Sequence, residues 1–251
     1  MQLIWVLLIL TQPLQSDREK FISRIHESSD GSSLPYRMFE PSPPLKSEAY
    51  PLILFLHGSG ERGSDNQKQL IHCSKEILTF SKIQSRDLYY LAPQCPEGQR
   101  WVDVDWSQPS MTMPQESSSP MKLVVELLKK TIAENPIDPN RIYICGLSMG
   151  GFGVWDLVMR HPNLFAAALP ICGGGDPNGA TIIKHIPVWA FHGGKDQTVP
   201  PQLTRNMVEA LKCVNGNIRY TEYPTATHNS WTRTFENPEV WEWLLSQEKM
   251  D

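Results

Sequence analysis

Residues 141–146 (RIYICG) form a β-prone run that passes directly into Gly146-Leu147-Ser148-Met149-Gly150-Gly151 and then into a stretch with helical spacing over Gly150–Arg160. A strand that meets a helix through so few residues must turn sharply. At such a turn a serine hydroxyl is lifted clear of the sheet, and the flanking glycines leave room for backbone that a β-carbon would obstruct. The pattern therefore calls for a strand-turn-helix unit. It makes Ser148 a candidate nucleophile, with the Met149 N–H at the helix start directed where an oxyanion would form.

The rest of the chain repeats the same alternation. Short apolar or aromatic runs at Tyr36–Phe39, Leu52–His57, Leu88–Ala92, Arg141–Gly146, Ala166–Ile171, Val188–His192 and Arg219–Tyr223 predict strands, several apolar on both faces as central strands under helices must be. Between them, Met121, Val124, Val125, Leu128 and Ile132 recur at helical spacing, with Glu126 and Lys130 as an outward i,i+4 pair, and this helix ends before Pro136. Leu203–Cys213 and Pro238–Gln247 predict further helices. The fold class is α/β, a mostly parallel sheet with helices on both faces. At 251 residues, 40% hydrophobic and 20% charged, the chain suits one globular domain, expected over 35–251, and is neither disordered nor collagenous. Segment 94–120, rich in Pro, Ser and Met, has no period; a loop of that length is often functional, with disorder as the alternative.

A serine nucleophile needs a base, and the base needs a carboxylate to orient it; on a sheet of this kind the order is serine, acid, histidine. Strand Val188–His192 leads into Gly193-Gly194-Lys195-Asp196, which places Asp196 just beyond a strand's carboxyl end. Strand Arg219–Tyr223 leads likewise to His228, the only histidine downstream of Asp196. Glu222, inside a strand, and Asp176 are weaker candidates for the acid. A second oxyanion donor belongs on the loop after an early strand, and Gly58-Ser59-Gly60 follows Leu52–His57, so the Ser59 N–H is assigned, with Gly60 as its neighbour. His57 precedes the nucleophile and is expected to brace that loop.

Other motifs carry less. Gly58-Ser59-Gly60-Glu61-Arg62-Gly63 satisfies G-x-G-x-x-G, yet no apolar helix starts at the glycines and Asp87 falls at the start of the next strand, so a dinucleotide site is not expected. Gly173-Gly174-Gly175-Asp176 lacks the Lys-Ser/Thr of a phosphate loop and is expected to be a flexible cleft edge. His72-Cys73 has no companions at metal spacing; neither a metal nor a cofactor is implied. Five cysteines without a C-x-x-C pair indicate neither a zinc site nor a full disulfide framework. A formal charge of −4 and no basic run exclude a phosphate-backbone partner on electrostatic grounds. The apolar run Leu3–Leu10 is too short to span a bilayer and has the length of an export-signal core; it predicts a signal over residues 1–16 and an exported protein. The alternative is an N-terminal strand or buried helix of a cytoplasmic protein. Residues 17–34, charged and Ser-rich, are expected to be a mobile linker. No feature sets an oligomeric state.

Over roughly residues 35–247 the sequence resembles the α/β-hydrolases of the dienelactone hydrolase and feruloyl-esterase-like group, including a bacterial branch labelled serine esterase or peptidase. The resemblance rests on YPLILFLHGSGERGSDN at 50–66, LAPQCP at 91–96, WVDVDW at 101–106, IDPNRIYICGLSMGG at 137–151, FHGGKD at 191–196 and THNSW at 227–231. It implies Ser148, Asp196 and His228 as a catalytic triad, Ser59 and Met149 as the oxyanion hole, and hydrolysis of a small ester without a cofactor. Dienelactone hydrolases proper place a cysteine where this chain has Ser148, so their substrate does not carry over. Trp101, Trp106 and Trp231, in the long loop and just past the base, are expected to wall an acyl or aryl pocket, with core packing as the alternative. A serine peptidase using the same triad and a non-catalytic binding protein on the same fold are the rival readings.

Overall fold

The computed structural model describes residues 16–41 and 49–249. Strands β1 (Ile22–Glu27), β2 (Ser33–Phe39), β3 (Tyr50–Leu56), β4 (Tyr89–Pro93), β5 (Ile137–Leu147), β6 (Ala167–Ile171), β7 (Val188–Gly193) and β8 (Ile218–Tyr223) form one sheet in the order β1-β2-β4-β3-β5-β6-β7-β8. β2 pairs antiparallel with β1 and β4, and every other pairing is parallel. The helices are α1 (Ser16–Glu19), α2 (Ser74–Gln84), α3 (Ser119–Glu134), α4 (Met149–Arg160), α5 (Ala180–Ile183), α6 (Pro201–Cys213), α7 (Trp231–Phe235) and α8 (Pro238–Leu245). None is long and apolar enough to cross a membrane among the described residues.

Alternation along the central strands divides the core in two. Leu52, Leu54, Leu56, Ile142 and Ile144 pack with side chains of α3, α4 and α6. Ile53, Phe55, Tyr143, Cys145 and Leu147 pack on the other face with α2 and α8. Both faces of β3 and β5 are thus buried, which is why these strands read as unbroken apolar runs. After β3 the chain crosses to β4 on one side and then returns to β5 on the other. That reversal opens a crevice at the carboxyl ends of β3 and β5, where ligands bind in open sheets of this kind.

Close backbone approach holds the crevice in place. A Cβ on Gly146 would lie 2.6 Å from Gly150 O, and one on Gly150 would lie 1.9 Å from Leu56 O. Only glycine allows β3, β5 and the first turn of α4 to meet so tightly.

Segment 17–34 is not a linker. It contains β1 and the start of β2, joined by a turn closed by Ser28 N–H to Ser32 O at 2.9 Å, with Gly31 at φ +84°. β1 hides from pattern reading because it is an edge strand: Ile22 and Ile25 face outward, and among its residues only His26 is buried. His26 Nε2 lies 3.3 Å from Glu126 Oε2, so Glu126 reaches across to the sheet's edge rather than along α3 to Lys130. Residues 1–15 of the expected export signal lie outside the described residues. Segment 94–120 has no regular element before α3, yet it is pinned: Arg160 donates to Gln115 O at 2.9 Å and the Met113 N–H to Asp176 Oδ2 at 3.1 Å. All five cysteines are free thiols.

Gly150→Ala should therefore cost roughly 3 kcal/mol or more, because the methyl meets backbone that cannot swing aside. Gly60→Ala, where a Cβ meets nothing within 4 Å, should stay within about 0.5 kcal/mol of wild type. Urea denaturation of the two variants checks this; equal stability would mean the strand-helix approach is looser than described.

Candidate active site

Ser148 occupies the turn between β5 and α4 at φ 53°, ψ −119°, a conformation that costs a non-glycine residue on the order of 1–3 kcal/mol. The Ser148 N–H donates to Ile171 O at 2.9 Å, tying the turn to β6. Asp196 sits on the loop after β7 and His228 on the loop after β8. These loops touch at Gly193, where a Cβ would lie 2.0 Å from Thr227 O. The Lys195 N–H crosses to Ala226 O at 2.9 Å.

The three side chains form one hydrogen-bonded line. His228 Nδ1 lies 2.7 Å from Asp196 Oδ2, and His228 Nε2 lies 2.9 Å from Ser148 Oγ. A carboxylate only accepts, so Nδ1 carries the proton and Nε2 offers a lone pair to the serine hydroxyl. Such an arrangement can draw a proton from Ser148 as its oxygen attacks. Burial opposes the charge of Asp196, but hydrogen bonds from His192 and His228, and from the Val199 N–H, hold its carboxyl well below the usual carboxylate range. Thr198 and Val199 donate their amides to Oδ1 at 2.8 and 3.0 Å.

The other two acidic candidates are engaged elsewhere. Glu222 receives both nitrogens of an Arg205 fork at 2.9 and 2.7 Å and the Tyr220 hydroxyl at 2.6 Å. That Arg205 pairing, with help from Tyr220, brings its carboxyl down to about 2 despite partial desolvation. Asp176 caps Asn178 and holds Met113.

Ser59 opens a 3-10 turn over Ser59–Glu61 and Met149 opens α4. As first residues of their turns, both present amides without an acceptor inside the helix. The peptide that carries the Ser59 N–H is fixed from behind, because His57 Nδ1 lies 2.6 Å from Gly58 O and donates to it. The trans peptide then turns the Ser59 N–H to the opposite side. His57 Nε2 accepts from the Cys95 N–H at 2.9 Å, so the ring is neutral, and burial pushes its pKa down to about 4. This is the bracing role the sequence predicts for His57.

The tryptophans separate. Trp101 is 0% exposed; its Nε1 donates to His57 O at 3.0 Å and its ring meets His57 at 5.1 Å. It is core beneath the loop and not a pocket wall, because its polar edge is needed to hold backbone. Trp106 is half-buried, stacked under Arg100 at 4.3 Å and tilted against Phe152, one turn along α4 from Ser148. Trp231 lies edge-on to His228 at 5.4 Å and also against His72 at 5.5 Å.

The glycine-rich stretch Gly173–Gly175 is packed rather than flexible: added Cβ atoms would meet Gly151 C at 2.5 Å, Leu203 Cβ at 2.7 Å and Trp155 Cβ at 2.9 Å. The Gly58–Gly63 loop opens only a single 3-10 turn, which gives a dinucleotide no helix N-terminus to bind. Cys172 brings a ligating atom within 4.8 Å of those of Asp196 and His228. Burial pushes its thiol up to about 12, so it offers a protonated sulfur, a poor metal ligand. His192 was missed by sequence reasoning; it is 0% exposed and its Nε2 lies 3.1 Å from Asp196 Oδ2. The available signal was a histidine inside an otherwise apolar central strand, four residues before Asp196.

Comparison with known proteins places this geometry in context. The family profile described as phospholipase/carboxylesterase matches residues 44–239. A probable SOBER1-like carboxylesterase of Arabidopsis thaliana is 25% identical, over 78% of this chain and 79% of its own length. Poly(3-hydroxyalkanoate) depolymerase C of Paucimonas lemoignei is 28% identical over 55% of this chain, which spans only 31% of that protein. Among solved structures, a thermostable esterase superposes with a TM-score of 0.83 at 38% identity, covering 92% of this chain and 64% of its own. A ferulic acid esterase of Anaeromyces mucronatus shares the fold, with a TM-score of 0.62 at 14% identity over 90% of each chain.

Because His57 is held neutral, an unfolded chain binds its proton at higher pH than the folded one. Between its ordinary value of 6.5 and about 4, lowering the pH therefore favours unfolding, by about 3 kcal/mol in all. His57→Gln should lack this component, so wild type should lose more stability than the variant between pH 7 and pH 4, as measured by urea denaturation. Parallel losses would show that His57 takes up its proton without disrupting the fold.

Proposed function

We propose, from the premise that this chain is an α/β-hydrolase-fold member of the phospholipase/carboxylesterase family, that it is a serine carboxylic ester hydrolase working through an acyl-enzyme. The observation that carries the reading is the unbroken line Ser148 Oγ, His228 Nε2, His228 Nδ1, Asp196 Oδ2, with contacts of 2.9 and 2.7 Å. His228 takes the Ser148 proton as the oxygen bonds to the ester carbonyl carbon. The carbonyl oxygen gains the negative charge, and the amides of Ser59 and Met149 stabilise it. On collapse, the bond to the leaving alcohol breaks and His228 returns the proton to that alcohol. Water then repeats the sequence on the acyl-serine and releases the acid. Asp196, already ionised, stabilises the imidazolium at each stage.

For substrate, we assign short-acyl or aryl, feruloyl-like esters. The support is local: Ser148 and His228 are both half-buried and reachable, and Trp231 offers an aromatic edge beside the base. The apolar run Leu3–Leu10 supports export as the setting.

Ser148→Ala should lower kcat for an aryl ester on the order of 10⁶-fold with the melting temperature little changed. Asp196→Asn should lower it by up to roughly 10⁴-fold through the wrong imidazole tautomer, whereas Glu222→Gln should matter far less. Retained turnover in Ser148→Ala, or a larger loss in Glu222→Gln than in Asp196→Asn, would overturn the assignment. Faster cleavage of peptide anilides than of aryl esters would favour a serine peptidase.

A further inference from the structure

Asp196 holds two imidazoles, and the proposed reaction uses only one of them. His192, fully buried on β7, points Nε2 at two acceptors, Asp196 Oδ2 at 3.1 Å and Val199 O at 3.0 Å, so that nitrogen carries a proton. Its Nδ1 lies 2.7 Å from Thr204 Oγ1 of α6. Thr204 has one proton to give, and its oxygen lies 2.6 Å from Gly173 O, a group that can only accept. With the threonine proton committed there, the contact at Nδ1 is a hydrogen bond only if Nδ1 also carries a proton.

We propose that His192 is an imidazolium and acts as a positioning residue, sharing Asp196 with His228 so that the base stays unprotonated at lower pH than it would beside an unshared carboxylate. The charged neighbours are consistent with a buried cation. Asp196 faces it from the loop after β7, and Glu222 is its partner in register on β8. Glu222 is in turn forked to Arg205 of α6 and bonded to Tyr220. On the far side of Asp196 lie His228 itself and the Cys172 thiol, which burial keeps protonated. Every polar atom of the His192 ring is bonded, the condition under which a buried charge is tolerated.

The effect on the base has one sign. A positive charge behind Asp196 disfavours a second positive charge on His228, and a carboxylate oxygen divided between two donors pulls less on each. The inference builds on Asp196 as the acid of the proposed triad, but its readout does not require turnover.

The test is nuclear magnetic resonance on the full-length ¹⁵N-labelled protein. Long-range proton–nitrogen correlations should show both ring nitrogens of His192 protonated across about pH 5–8, the range in which an ordinary histidine loses its charge. In His192→Gln the titration midpoint of His228 should rise by about one pH unit. Thr204→Val, which removes the hydroxyl that accepts from Nδ1, should move it the same way and serves if the first variant does not fold. A role limited to packing would leave the midpoint in place. A single protonated ring nitrogen on wild-type His192, or a His228 midpoint that stays or falls in the folded variants, overturns the proposal. If the midpoint rises but no ester is cleaved, the charge assignment stands and the esterase reading fails.

Discussion

The meeting of three backbones at Gly146, Gly150 and Leu56 is the constraint on which the rest of the molecule depends. Because β3, β5 and the first turn of α4 come within the space of a methyl group, the chain between β5 and α4 has no relaxed route. Ser148 is driven to positive φ, and its hydroxyl emerges at the crevice where the strand order reverses. The same contact fixes the start of α4, and with it the Met149 amide. Gly151 extends the arrangement to β6, since a Cβ there would lie 2.5 Å from Ile171 O. A substitution that opened this junction would misplace the Ser148 hydroxyl and the Met149 amide together.

Asp196 and His228 depend on a second close contact, between Gly193 at the end of β7 and the loop after β8. Neither loop is rigid by secondary structure, so their positions are set by backbone bonds between them and by what Asp196 gathers. That carboxylate accepts from two amides and faces two imidazoles, leaving little freedom to rotate. The loop that carries Ser59 is organised from beneath in a similar way: His57 fixes the Gly58 carbonyl, Cys95 fixes His57, and Trp101 fixes the His57 carbonyl. Buried polar groups work here because each is bonded.

Those junctions explain what could be read from the sequence. Ser148 and Asp196 were legible because each follows a buried apolar strand through a short turn, and His228 because it follows the aromatic and β-branched run of β8; these are local signals that need no knowledge of packing. The geometry then brings them together, while Glu222, on a strand interior, is taken by Arg205. Less legible were features whose meaning is tertiary. β1 is held by backbone pairing at an edge, and its outward isoleucines gave no alternation. α2 buries Ser74 and Ser81 beside Ile77, Leu78 and Phe80, which blurs its apolar stripe. Trp101 looked like a pocket wall because its loop has no period; its indole N–H turned out to be needed by the His57 carbonyl. His192 could not be assigned before Asp196, Thr204 and Gly173 were seen around it.

The central claim is that Ser148 is a nucleophile activated by its place in this framework, and covalent capture tests it most directly. The folded protein should react with a fluorophosphonate at one site, gaining one phosphonyl group, and peptide mapping should place that group on Ser148. Urea-unfolded protein, which lacks the turn and the His228 contact, should not react. Absence of labelling in the folded protein, or a label on any other residue, would contradict the account.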